Sequence, residues 1–139
     1  MTALYPSVAV VVIVEDDRPI ADYVATVVAD AGYHPVVATH GRQALELIEA
    51  QRPALILTDL MLPFLSGAEV IAAVRAHPNP VRARVPVIVM TAAHRKAAQL
   101  EGADAILRKP FSIDELQSLL RRFLEADGAE GAAPAAAQE

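Results

Sequence analysis

Val8-Ala9-Val10-Val11-Val12-Ile13-Val14 is followed at once by Glu15-Asp16-Asp17. An unbroken apolar run rich in β-branched side chains has no polar face, so it reads as a strand covered on both sides, as inside a parallel sheet. The three carboxylates mark where the chain leaves the core for a loop. The same form recurs downstream. Pro53 opens Ala54-Leu55-Ile56-Leu57-Thr58, which runs into Asp59, and Pro86 opens Val87-Ile88-Val89-Met90, which reaches Thr91. Proline is tolerated at a strand's first residue. Ala103 to Leu107 forms a further strand ending at Arg108-Lys109-Pro110, and His34-Pro35-Val36-Val37-Ala38-Thr39 is a weaker one.

Between the strands the apolar period changes from two to between three and four. Pro19 suits a first helical turn, Ile20, Tyr23, Val24, Val27, Val28 and Ala31 recur on one face, and Gly32 supplies a stop. Gly41 to Ala50 reads as a second helix with Ala44, Leu45 and Ile48 inward. Ser66-Gly67-Ala68-Glu69 and Ser112-Ile113-Asp114-Glu115 have the spacing of capping boxes. The first starts a helix burying Val70, Ile71 and Val74 that ends near His77-Pro78-Asn79-Pro80. The second starts one carrying Leu116, Leu119, Leu120, Phe123 and Leu124. A short helix through Ala97-Ala98-Gln99-Leu100 is expected to stop at Gly102. Five strands alternating with five helices predict an α/β fold, a doubly wound parallel sheet with helices on both faces.

Composition agrees with one such domain. At 139 residues folding buries roughly two-thirds of the unfolded chain's surface, and 54% apolar with only 4% aromatic residues describes a core of Val, Leu, Ile and Ala. A net charge of −5 without a basic stripe gives no electrostatic support for direct nucleic-acid or membrane binding. The absence of cysteine excludes disulfides, thiolate catalysis and cysteine zinc sites and fits a cytoplasmic location. Val8 to Val14 is too short for a membrane span. The domain is expected over residues 1–126, and the Ala/Gly/Pro/Glu tail over 127–139 is expected to be disordered.

In an open α/β sheet the ligand site lies beyond the carboxyl ends of the strands, which here carry Glu15-Asp16-Asp17, Asp59, Thr91 and Lys109. A single polar strand end is as readily a solvated loop, and Lys109 alone a surface lysine. Four in register favour a site. Carboxylates gathered with no basic neighbour repel one another and suit a hard divalent cation, Mg²⁺ above all. A carboxylate can also attack a phosphoryl group if metal, cation and hydrogen-bond donors offset the charge on its oxygens. Asp59, Mg²⁺, Lys109 and Thr91 make that set.

The blocks VVIVEDD, ILTDLMLPFLSG, VIVMTA and GADAILRKPF closely resemble those of response-regulator receiver domains, over about Val8 to Leu124. The resemblance implies a flavodoxin-like sheet of order 2-1-3-4-5. It implies Asp59 as phosphoacceptor and Mg²⁺ held by Asp16, Asp59 and the backbone carbonyl of Met61, with Glu15 acting mainly through water. Lys109 would pair with the carboxylate and then the phosphoryl group, the Thr91 hydroxyl would bond a phosphoryl oxygen, and the Lys109-Pro110 peptide would be cis. The implied partners are a histidine kinase or histidine phosphotransfer protein as donor and an unspecified protein target. The implied chain is a stand-alone switch, monomeric or dimerising on phosphorylation, whose only catalysis is self-directed.

Two departures bear on output. Ile106 stands where the family usually has Tyr or Phe, so the aromatic part of the usual relay is missing. The interval from Thr91 to Lys109 is also shorter than usual by about one helical turn, which puts the common receiver dimer in question. Competing readings are a phosphohydrolase, which would usually show Asp-x-Asp where Asp59-Leu60-Met61 stands, a phosphorylation-independent binding module, and a fragment of a longer regulator. His34, His40, His77 and His94 read as surface residues, Asp17 as a cap or a metal contact, and Pro63 and Gly67 as shaping the loop after Asp59.

Overall fold

The computed structural model describes residues 8–92 and 100–125. The described elements are β1 (Val10–Val14), α1 (Arg18–Asp30), β2 (His34–Ala38), α2 (Gly41–Gln51), β3 (Leu55–Asp59), α3 (Gly67–Arg75), α4 (Pro80–Ala83), β4 (Val87–Thr91), β5 (Ala105–Arg108) and α5 (Ile113–Leu120), which continues as a π-helical turn over Arg121–Glu125. The strands form one parallel sheet in the order β2-β1-β3-β4-β5. That is the doubly wound α/β arrangement.

Alternate residues of each central strand face opposite ways, and both faces are covered. Val11, Ile13, Leu55, Leu57, Ile88 and Met90 pack under α1 and α5 with Val24, Val28, Leu116 and Leu120. Val12, Val14, Ile56, Val87 and Val89 pack under α2 and α3 with Ala44, Ile71 and Val74. Each such aliphatic side chain contributes about 1.5–3 kcal/mol on burial, which is why the strand runs show no polar alternation. Both capping boxes form. Ser66 Oγ accepts from the Glu69 amide at 3.2 Å while Glu69 Oε1 accepts from the Ser66 amide at 2.9 Å, and Ser112 with Glu115 repeats the exchange at 3.1 and 2.8 Å.

Arg75, at the end of α3, draws the starts of β4 and β5 together. Its guanidinium donates to the carbonyls of Ala83, Val85 and Gly102 and pairs with Asp104 at 2.8 Å, while Asp104 Oδ2 also accepts from the Val87 amide. Arg52 ends α2 in the left-handed region, at φ 50° and ψ 62°. Glycine is the usual occupant of such a position because a Cβ there costs roughly 1–2 kcal/mol.

Several boundaries differ from expectation. β1 begins at Val10 and leaves Val8 exposed. β5 is shifted to Ala105–Arg108, as the Gly102 turn at φ +91° and the Ala103–Leu100 bond occupy the residues before it. In α1, Tyr23 and Ala31 are exposed and Ala21 is buried instead. In α2 it is Leu47 and Ile48 that pack against the core beside Ala44, while Leu45 is half-buried. The stretch read as a helix end at Pro78-Asn79-Pro80 starts a further turn, α4, whose first amides are accepted by the Asn79 side chain. The short helix expected through Ala97 to Gln99, His94 and the tail over 127–139 lie outside the described residues.

Candidate functional site

β1, β3 and β4 end side by side. Parallel pairing sets Val14 against Thr58, Asp59 against Met90 and Thr91 against Arg108, so Glu15, Asp59, Thr91 and Lys109 leave the sheet at one edge. Glu15 is 1% exposed, Thr91 2% and Asp59 8%. Asp16 is exposed. Carboxylate oxygens of Glu15, Asp16 and Asp59 lie within 4.8 Å of one another.

Lys109 reaches into this cluster from the end of β5. Its Nζ donates to Glu15 Oε1 at 2.8 Å and to Asp59 Oδ2 at 3.3 Å, and its backbone amide donates to the Thr91 carbonyl at 3.0 Å. Lys109 thus brings these carboxylates a cation from 94 positions beyond Glu15 along the chain. Burial pushes the Glu15 carboxyl above its ordinary 4.5; the Lys109 bond opposes the rise and the charge of Asp59 adds to it. For Lys109 burial acts downward, yet the Glu15 and Asp59 carboxylates outweigh it and hold the ammonium above 10.5. The Lys109–Pro110 peptide is cis.

The loop after β3 is fixed from several sides. The Met61 amide donates to Asp59 Oδ1 at 3.3 Å, and Thr58 Oγ1 donates to the Asp59 carbonyl at 2.9 Å. The Gly67 amide donates to the Leu60 carbonyl at 2.9 Å. Asp17 caps α1, accepting from the Ile20 amide at 3.1 Å, and its own amide donates to Glu15 Oε2 at 3.2 Å. Ile106 pairs with Val89 on the outer strand and is partly exposed.

Some features of the rim had no signal in the sequence. His40, read as a surface histidine, caps α2 through Nδ1, which accepts from the Gln43 amide at 3.2 Å. Its ring meets Phe64 edge-on at 5.9 Å. Phe64 is 90% exposed and sits at φ 70°. Phe64→Gly is expected to stabilise the protein by about 1 kcal/mol, the left-handed strain relieved exceeding the extra freedom of glycine in the unfolded chain. A urea midpoint that falls or stays put in Phe64→Gly would show that the edge contact with His40 outweighs the strain.

The arrangement defines a class: a doubly wound parallel sheet whose carboxyl edge holds an acidic, metal-compatible pocket bridged by one lysine. The response regulator receiver domain model matches residues 11–121, and the chain belongs to that family. It is 35% identical over 127 residues to the response regulator MprA of Mycolicibacterium vanbaalenii, an alignment covering 86% of the chain and 53% of that protein. The chain thus spans about half the length of the curated relatives it matches. Chemotaxis response regulator CheY4 of Vibrio cholerae superposes with TM-score 0.76 at 30% identity, covering 85% of this chain and all of that one. The receiver domain of a Pseudomonas aeruginosa sensor histidine kinase, solved with a magnesium ion in its active-site cleft, superposes with TM-score 0.74 at 30% identity, over 84% and 98% of the two chains.

Proposed function

We propose that the domain is a switch operated by transfer of a phosphoryl group to Asp59. The observation that carries this reading is the convergence of Glu15, Asp16 and Asp59 with Lys109 bonded to two of the three. The donor set is all hard carboxylate oxygen, with exposed Asp16 on the open side, which suits Mg²⁺ and suits no softer metal. Asp16 and Asp59 would hold the ion, with the Met61 carbonyl beside them and Glu15 behind through water. When bound, the ion offsets charge on the phosphoryl oxygens.

An Asp59 carboxylate oxygen attacks phosphorus; the bond from phosphorus to the donor histidine nitrogen breaks as the acyl phosphate bond forms, and the imidazole leaves with the electron pair. Lys109 exchanges part of its contact with Asp59 for the transferred group. The Thr91 hydroxyl, at the neighbouring strand end, bonds one of its oxygens. A histidine kinase or phosphotransfer protein in the cytoplasm is the donor, and the altered edge changes affinity for a protein target. With Ile106 in the aromatic's place, the change travels by backbone and packing shifts.

Incubation with Mg²⁺ and acetyl phosphate, followed by intact mass, tests the reading. One added phosphoryl group is expected on the wild type, and none on Asp59→Asn or in EDTA. No addition to wild type, beside a receiver that is modified under the same conditions, would identify a phosphorylation-independent binding module.

A further inference from the structure

At the opposite end of the same two strands, where β3 and β4 begin, the surface opens into a cleft of about 600 Å³. Three arginines line it, Arg52, Arg82 and Arg84, and no carboxylate does. In a chain with 17 acidic and 12 basic residues that is a local inversion of charge. Arg82 is pinned, donating to the Ile48 and Glu49 carbonyls at 3.1 and 2.6 Å and to the Glu49 carboxylate at 3.1 Å. Arg52 and Arg84 are exposed, and neither forms an ion pair with a carboxylate among the described residues.

A second observation points the same way. Arg52 occupies the left-handed end of α2 where glycine is sterically cheaper, so the chain keeps a guanidinium at the cleft against its own backbone preference. Strain of this kind is characteristic of positions held for function. Apart from Asn79 the remaining walls are apolar: Ile48, Pro53 and Pro86 line the cleft, with Val81, 72% exposed, at its side.

We propose that this cleft binds a small organic phosphate with an apolar or planar body, such as a nucleotide. Among the described residues, two guanidiniums without an ion pair and a third partly neutralised by Glu49 leave roughly two positive charges uncompensated, which a phosphomonoester or diphosphate matches and a monocarboxylate does not. The volume lies within the range of small-molecule sites. The apolar walls take the body of the ligand. β3 and β4 run from this cleft to Asp59 and Thr91, so the two sites lie at opposite ends of the same strands.

The test is calorimetric titration of the full chain with ADP in EDTA, which keeps metal out of the acidic pocket, with adenosine as the phosphate-free control. ADP is expected to bind saturably and adenosine not to bind. Arg52→Gln with Arg84→Gln is expected to weaken ADP at least tenfold, and Asp59→Asn to leave it unchanged. Arg52→Gly separates binding from folding: relieving the strain raises Tm by about 3 °C, yet ADP affinity falls. Absence of saturable ADP binding at millimolar concentration, equal binding of adenosine, or affinity undiminished by the arginine substitutions would overturn the proposal.

Discussion

Lys109→Ala is expected to lower phosphoryl uptake at Asp59 at least a hundredfold and, without Mg²⁺, to destabilise the protein by about 2–4 kcal/mol at neutral pH. The side chain is the one cation bonded to Glu15 and Asp59 among the described residues, and Glu15 has almost no access to water. Removing one member of a buried pair leaves the other charge uncompensated; the figure is set below the usual range because Lys109 keeps some solvent contact. The pH dependence follows from the directions of the shifts. Glu15 titrates above its ordinary 4.5 in the folded protein, so its favourable contribution is complete below 4.5 and is lost as pH rises through its folded pKa. Without Lys109 that pKa rises further, since the bond and charge opposing the rise are gone. The deficit of the variant is therefore largest near neutrality and shrinks on acidification. Wild-type Lys109 titrates above 10.5, so its contribution holds below 10.5 and disappears only as pH rises through the folded value, a loss the variant lacks. Urea midpoints for both proteins at about pH 7 and about pH 5 test this. A deficit that grows toward acid would mean that Lys109 does not hold the acidic pocket together. Lys109→Arg should recover stability more than transfer, because a guanidinium fork follows a moving phosphoryl group less readily than an ammonium.

What the sequence discloses about this molecule depends on how local the physical cause is. The buried strands were legible because burial on both faces demands unbroken apolar runs, and the edge was legible because Glu15, Asp59, Thr91 and Lys109 each stand where such a run stops. The caps at Ser66 and Ser112 were legible because donor and acceptor are three residues apart. Long-range pairing was not. Glu15 and Lys109 are separated by 94 positions, and nothing in either segment says that the shorter lysine bond goes to Glu15, with Asp59 the more distant partner. Pro78-Asn79-Pro80 reads as breakers, yet an asparagine before a proline is also a helix start, and the structure uses it so. Leu45 and Leu47 differ by two positions on a helix whose phase is set by packing, so the choice between them was invisible to period counting. Phe64 and Arg52 are left-handed without being glycine, a departure from local preference that no sequence rule anticipates.

Gly67→Ala is expected to destabilise the protein by about 3 kcal/mol and to slow phosphoryl uptake at Asp59, although alanine is the better helix former by about 1 kcal/mol. Gly67 is buried as the first residue of α3 and packs against the Asp59-Leu60 backbone. A Cβ there would collide with the Asp59 carbonyl oxygen and stand 2.8 Å from Leu60 Cα. Both are backbone atoms, so no side-chain rotation relieves the clash. Either α3 retreats, breaking the bond from the Gly67 amide to the Leu60 carbonyl, or the Asp59-Leu60 peptide moves and carries the Asp59 carboxylate with it. The first response costs stability, and the second misplaces the attacking oxygen relative to Lys109, a misalignment to which in-line transfer is sensitive. Gly32→Ala is the matched control. Gly32 has φ +98° and no atom within 4 Å of an added Cβ, so Gly32→Ala adds only left-handed strain of roughly 1–2 kcal/mol, away from Asp59. Comparison of urea midpoints and acetyl phosphate uptake in the two variants separates the effects, since both lose stability but only Gly67→Ala should lose rate under conditions where each is folded. Equal uptake in both would mean that the close approach of α3 to the Asp59-Leu60 peptide serves packing alone.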